Sequence, residues 1–562
     1  MMRALRWPRA AAWLLAFACA STALQAAAPV PGKAAIASAH PLAPAAGHEV
    51  LDKGGNAFDA AVAVSSALAV VYPTGNGLAG GGFYLLHRAS DGREIMIDAR
   101  EKAPAAATRD MFLGPDGNPV PGLSLNSALA AGIAGEPAGM ERLVHEYGRL
   151  PLAVSLAPAI RLAHEGFAVG PHLRAVIERK RDVFAKQKDV AKTWLRDGKA
   201  PPLGTVIRQP QLARTLETLS RNGLRDFYEG EIARKLVAGV RKLGGIWTAA
   251  DLAAYRIVER APIVGEYRGA RIVSAPPPSS GGIVLMEALN ILSGYDLAQL
   301  DSATRKHLIA ASMRRGHRDR AVWLGDPDFI EMPVAELIHP YYAAGLRASI
   351  RLDRAMPRAE LPGVSTPPDG PQTTHFSVLD AEGNRVAATI TVNFLFGSGL
   401  VVPGTGMFLN NEMDDFSKKA GVPNGFNLVG NAANEIAPGK RPLSSMTPTF
   451  VETPRGLMIT GSPGGSYITG MVLLSTLGFL DGESAAQIVS APRIHHQYLP
   501  DVLQYEQGAL TPAEVTSLER RGYTLQESRR GWGNLQVVTW DYASGRVEAA
   551  SDPRGEGEGQ VY

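Results

Sequence analysis

The sequence holds one cysteine in 562 residues, no His-Glu-x-x-His pair and no Gly-x-Ser-x-Gly elbow. Beyond its first residues it has no run of about 18 apolar residues, the length that spans a bilayer. Each absence removes a class of chemistry. The cysteine, Cys19, falls in an N-terminal segment that reads as a secretory signal over residues 1–26. Arg3, Arg6 and Arg9 supply a basic start, Ala10 to Ala20 an apolar stretch too short for an anchor, and Ala26 and Ala28 a small-residue cleavage site. A mature chain from residue 27 then has no disulfide, thiol nucleophile or cysteine metal ligand. Loss of three arginines also takes the formal charge of +3 to zero. No broad basic field is left for nucleic acid or an anionic membrane. The expectation is an exported chain, periplasmic or secreted, with no stable membrane span.

Two remaining signals for bound groups fail on context. Gly75-Asn-Gly77-Leu-Ala-Gly80 matches G-x-G-x-x-G. A dinucleotide loop lies between a strand and a helix, so that phosphate meets the helix N-terminus. Here an apolar helix, expected over Phe58 to Val71, precedes the loop and a strand, Phe83 to His87, follows it. His495 and His496 are adjacent, and on a strand they face opposite ways. No metal and no cofactor are expected.

What is present is apolar periodicity and glycine. The composition is 45% hydrophobic with 60 glycines, ordinary for a large globular core with many tight turns. Residues 153–243 read as amphipathic helices. Pro276-Pro-Pro278 and Ser279-Ser-Gly-Gly282 lead into an apolar helix, Ile283 to Leu292. Met356 to Gln372 carries five prolines and reads as an exposed linker. Beyond it, His375 to Leu379 and Arg385 to Asn393 form a hairpin, and Thr449 to Glu452 pairs with Gly456 to Thr460. Strands concentrated in the last third, with helices before and between them, predict layered sheets covered by helices.

The chemistry concentrates where the linker enters a strand, at Gln372-Thr373-Thr374-His375. A threonine hydroxyl is a poor nucleophile until a base takes its proton. Cutting the chain before the threonine would free an α-amine as that base, with a pKa of about 7.7–8.0. Taken alone, two threonines at a strand start are ordinary. Thr391 and Asn393, two apart on the partner strand, are expected on one face, where either could orient Thr373. Gly461-Ser-Pro-Gly464-Gly465-Ser466 could aim consecutive N–H groups at an oxyanion, where one donor contributes on the order of 3 kcal/mol. Asn410 to Asp415 and Arg441 to Met446 gather charged and hydroxyl groups suited to an ammonium and a carboxylate.

These blocks together resemble the γ-glutamyltransferase (γ-glutamyltranspeptidase) family. Matching stretches run through nearly the whole mature chain. They include Asp59-Ala-Ala-Val-Ala63, Gly80-Gly-Gly-Phe83, Asp98-Ala-Arg100-Glu-Lys-Ala-Pro104, Gly325-Asp-Pro-Asp-Phe329, Thr373-Thr-His375, Asn410-Asn-Glu-Met-Asp-Asp-Phe416, Lys440-Arg-Pro-Leu-Ser-Ser-Met446 and Gly461-Ser-Pro-Gly-Gly465.

The resemblance implies an α+β fold, the four-layer αββα sandwich of N-terminal nucleophile hydrolases. It implies autocatalytic cleavage at Gln372-Thr373, giving a large subunit (residues 27–372) and a small one (residues 373–562) that share one core as a heterodimer. The activity implied is γ-glutamyl transfer from glutathione or related amides to amino acids, peptides or water. In that scheme Thr373 is the nucleophile with its own amine as base, and Thr391 supports its hydroxyl. Gly464 and Gly465 form the oxyanion hole. Arg100, Ser444 and Ser445 hold the substrate α-carboxylate. Asp415, with Glu412 and Asn393, holds the α-ammonium. Position 412, here Glu, varies among relatives, and Phe426 stands in a lid-like segment (residues 420–435) where many bacterial relatives have Tyr. Two other readings are an acylase of the same fold acting on glutaryl side chains, as in cephalosporin acylases, and an unprocessed, inactive binding homologue. Neither accounts as well for Glu412 and Asp415 together with an intact Thr373.

Overall fold

The computed structural model describes residues 30–361, 373–419, 421–430 and 432–562. The signal segment, the end of the linker and Gln372 lie outside the described residues. Of the linker's start, residues 357–360 are exposed, as its composition predicts.

Two antiparallel sheets form the centre. The first has seven strands, in spatial order Glu558–Val561, Ala35–Ser38, Thr374–Leu379, Arg385–Thr391, Gly81–Arg88, Arg93–Ala99 and Val258–Arg260. The second has six: Val547–Ser551, Gln536–Asp541, Gly456–Gly461, Thr449–Thr453, Ala270–Ser274 and Ile263–Tyr267. Both sheets draw strands from before and after residue 373, so the chain on either side of that point builds one core.

Strand alternation explains the layering. Phe83, Leu85 and Met96 turn into the space between the sheets, against Val273, Phe450, Ile459 and Val538. Their neighbours Tyr84, Leu86 and Ile97 turn the other way, beneath the helices Leu42–Asp52 and Ala57–Val71. On the far side, Gly281–Leu292 and Ile468–Leu480 cover the second sheet. The order is helix, sheet, sheet, helix.

The buried-helix reading holds: every residue of Ala57–Val71 is buried. Asn56 caps it, accepting from the N–H groups of Phe58 and Asp59, while Asp59 returns a bond to the Asn56 N–H. Such a cap contributes about 1 kcal/mol. The predicted amphipathic region contains the helices Leu152–Glu165, Pro171–Ala185, Pro210–Asn222 and Glu231–Lys242.

Candidate active site

Thr373 sits directly ahead of the central strand Thr374–Leu379 and is 4% exposed. The neighbouring strand runs antiparallel with Ile390 opposite Thr374, which carries Thr391 alongside Thr373. The Thr391 hydroxyl donates to Thr373 Oγ1 at 3.4 Å and accepts from the Asn393 N–H at 2.7 Å. Asn393 departs from the expectation of a shared strand face. The strand ends at Thr391, and Asn393 has a φ of +74°. Strand alternation no longer governs it, and its Nδ2 donates to the Asn411 carbonyl at 2.9 Å.

The glycine loop 75–80 has a role that the failed nucleotide motif did not suggest. A Cβ on Gly75 would lie 3.0 Å from the Thr373 carbonyl oxygen, and one on Gly80 would collide with the Thr391 carbonyl. Glycine permits this backbone to close against both threonines.

The strand Gly456–Gly461 delivers the second glycine loop. Gly464 and Gly465 have φ of +140° and +54°, and Gly465 opens a short 3-10 turn, Gly465–Tyr467. The first N–H groups of such a turn have no partner within it. The Phe426 ring packs so closely on Gly465 that a Cβ there would collide with it. Phe426 also stacks on Phe394, with centroids 4.4 Å apart and planes 19° apart. Asn424 ties this lid-like segment down. Its Oδ1 accepts from the Phe426 N–H at 2.9 Å, and its Nδ2 donates to Asp415 at 3.2 Å.

Charge gathers at Arg100. One of its Nη groups pairs with Glu412, the other with Asp415 at 2.5 Å, and its Nε donates to the Pro442 carbonyl at 3.2 Å. Burial pushes the carboxyls of Glu101, Glu412 and Asp415 above their usual range, while Arg100 pulls each back. Burial disfavours the Arg100 charge, but the carboxylates outweigh it and its pKa rises. Asn410 fixes this corner. Its Oδ1 accepts from the Glu412 N–H at 3.0 Å, and its Nδ2 donates to the carbonyls of Ala79 and Gly132. Asp414, next in chain to Asp415, is instead held by Ser124 and Lys418, both at 2.6 Å. The Ser444 hydroxyl accepts from the Met446 N–H at 3.1 Å. Ser445 Oγ is buried with no hydrogen-bond partner among the described residues.

The fold sets Thr391 beside Thr373 and joins Arg100 to Glu412 and Asp415, and the sequence reading gives no separate role to Glu101, Asn410 or Asn424. Glu101 was legible, since it adjoins Arg100 in a block already singled out. Asn410 and Asn424 bond mainly to backbone groups, a role that residue type does not disclose.

A helix-covered double sheet with a threonine at the head of a central strand of one sheet, and a paired-glycine turn following a strand of the other, defines an N-terminal nucleophile hydrolase. Within that class the chain belongs to the Gamma-glutamyltranspeptidase family, whose model matches residues 43–562. It is 42% identical over 525 residues to a glutathione hydrolase proenzyme of Escherichia coli (strain K12), spanning 92% of this chain and 90% of that one. An acylase ACY 1 proenzyme of Pseudomonas sp. (strain SE83) is 36% identical over 528 residues, spanning 92% and 91%. Among solved structures, a cephalosporin acylase from Bacillus halodurans matches with a TM-score of 0.81 at 27% identity, covering 100% of this chain and 99% of that one.

Proposed function

We propose that this chain is a self-cleaving proenzyme whose mature form transfers or hydrolyses γ-glutamyl groups. Thr373 Oγ1 attacks the Gln372 carbonyl and the peptide nitrogen leaves as a free amine, so the bond becomes an ester. Water opens the ester, leaving a carboxylate on Gln372 and an intact Thr373 hydroxyl. The liberated amine then takes the hydroxyl proton, Thr373 attacks the donor γ-carbonyl, and the oxyanion meets the N–H groups of Gly464 and Gly465. The donor amine departs with the proton. Water or an acceptor amine resolves the γ-glutamyl ester.

The observation that carries the reading is the placement of Thr391 against the Thr373 hydroxyl, at the head of a central strand and within a core shared across residue 373. Arg100, Glu412, Asp415, Ser444 and Ser445 supply the mixed charge that a glutamyl zwitterion requires. Phe426, packed on Gly465 and Phe394, belongs to the lid of this site in the proposed reading. The subunits of residues 27–372 and 373–562 stay together as a heterodimer, because neither sheet is complete without both. Export, to the periplasm or the medium, follows from residues 1–26. No helix of the described residues is long and apolar enough to cross a membrane.

Relatives named as acylases make the glutaryl donor the second reading. Purified protein should release 4-nitroaniline from the γ-glutamyl anilide at least about tenfold faster, in kcat/KM, than from the glutaryl anilide, given the acidic pair awaiting an ammonium. Preference for the glutaryl compound would establish the acylase instead.

A further inference from the structure

An imidazole has two ring nitrogens, and a neutral one can donate from only one of them. His317, on the helix Ser302–Trp323, is 3% exposed and has a carbonyl at each. Nδ1 lies 3.0 Å from the oxygen of Met313, one turn back in the same helix, and Nε2 lies 3.2 Å from that of Ser466. Burial pushes its pKa down to about 4, so at neutral pH the ring holds a single proton. Packing fixes where the ring stands. His495 meets it edge-on, with centroids 5.5 Å apart and planes 86° apart, and His495 in turn packs on Tyr467 at 4.3 Å. The Tyr467 ring packs on Trp532, and its hydroxyl donates to Gln504 Oε1 at 2.6 Å.

The two carbonyls are not equivalent. That of Met313 stands where the helix repeat gives it the His317 amide as donor. That of Ser466 belongs to the turn Gly465–Tyr467, ahead of the helix Ile468–Leu480. The peptide group that begins at the Ser466 carbonyl ends at the Tyr467 N–H, which donates to the Gly464 carbonyl at 3.0 Å. The peptide group that begins there ends at the Gly465 N–H, which the proposed mechanism turns on the oxyanion. A trans peptide group is planar, with its C=O and N–H pointing opposite ways, so a partner held at one end fixes the direction of the other. Hydrogen bonds in such a chain also polarise one another. His317 Nε2 thus stands two peptide groups from the oxyanion, on a helix that precedes residue 373, while the turn follows it.

We infer that His317 is a positioning residue for the oxyanion hole. Its one proton is held on Nε2 and donated to the Ser466 carbonyl, which aims and polarises the Gly465 N–H through the two peptide groups between them. This assignment rests on the proposed γ-glutamyl reading and deepens it.

Two neutral amides separate the nitrogens. The side-chain nitrogen of His317→Gln can reach the place of Nε2, and that of His317→Asn the place of Nδ1. Both are made in the full-length chain, with the two-subunit pattern on a denaturing gel and a thermal melt as folding checks. Hydrolysis of γ-glutamyl 4-nitroanilide is then followed. An oxyanion forms in acylation and in deacylation alike, so kcat reports on the turn whichever step is slower. His317→Asn should lower kcat by about tenfold with KM within about twofold, and His317→Gln should recover most of that loss. His317→Phe keeps a ring but no donor and should match His317→Asn. If the Asn variant stays a single chain, the Phe and Gln pair carries the same contrast. Equal kcat in the Asn and Gln variants, a loss carried by KM, or a Phe variant at the wild-type rate overturns the assignment. Wild-type protein that ignores the γ-glutamyl anilide refutes the underlying reading instead.

Discussion

His375 lies two residues from the proposed nucleophile and is the obvious rival for the role of base. Its surroundings remove it. The ring is buried, with Nδ1 2.8 Å from Thr389 Oγ1 and Nε2 3.3 Å from Ser377 Oγ, and Gly461 packs against it so tightly that no Cβ would fit. Burial pushes its pKa down to about 3, so it stays neutral through the working range. If the base is instead the Thr373 amine, only its unprotonated form is competent and the rate must rise with pH. The kcat/KM profile is therefore expected to climb with a midpoint of roughly 7.7–8.0. His375→Asn should leave that midpoint in place, and a displacement of a full unit would return the role to histidine. At this scale Thr373 and Thr391 were legible, because hairpin register follows from two short strands and their loop. Asn393 was misplaced because alternation stops where the strand stops.

Among the elements, the turn Gly465–Tyr467 and the segment around Phe426 depend on each other. Gly465 has a backbone conformation that side chains with a Cβ adopt at a cost of about 1–2 kcal/mol, and the Phe426 ring occupies the space a Cβ would need. Gly465→Ala should therefore swing the adjacent N–H off target and reduce kcat by about 100-fold or more in steady-state assays. Adding Phe426→Ala relieves the collision but not the backbone strain, and should recover only a small part. Wild-type kcat for Gly465→Ala would remove these amides from the oxyanion hole. The glycine run was legible as a strand-to-helix turn. Its contact with Phe426, some forty residues earlier in the chain, was not, because apolar residues in a loop do not announce their partners.

For the whole molecule, the layered fold follows from alternation in the strands and from helices that are apolar all round. The interleaving of strands from both sides of residue 373 could not be read locally, as it depends on which distant strands pair. One consequence concerns stability. Glu136 is fully buried beneath the loop at Gly80, whose carbonyl accepts from the N–H groups of both Gly135 and Glu136. Ser65 and Tyr84 donate to the same oxygen of its carboxyl. Burial raises its pKa from 4.5 to about 7. The folded state thus holds this proton more tightly than the unfolded chain does. The stabilisation is complete below pH 4.5 and disappears as pH rises through 7, a change on the order of 3 kcal/mol. Thermal melts of Glu136→Gln should lose this component, so the variant gains on wild type as pH goes from 5 to 8. A constant difference between the two proteins across that range would contradict it.

The central claim is that an amino group newly exposed on Thr373 activates that residue's own hydroxyl. N-terminal sequencing of the smaller fragment from active protein tests it most directly. The expected reading is Thr-Thr-His-Phe-Ser, with Thr373→Ala remaining a single inactive chain. An active preparation whose fragment begins elsewhere, or that stays undivided, contradicts the account.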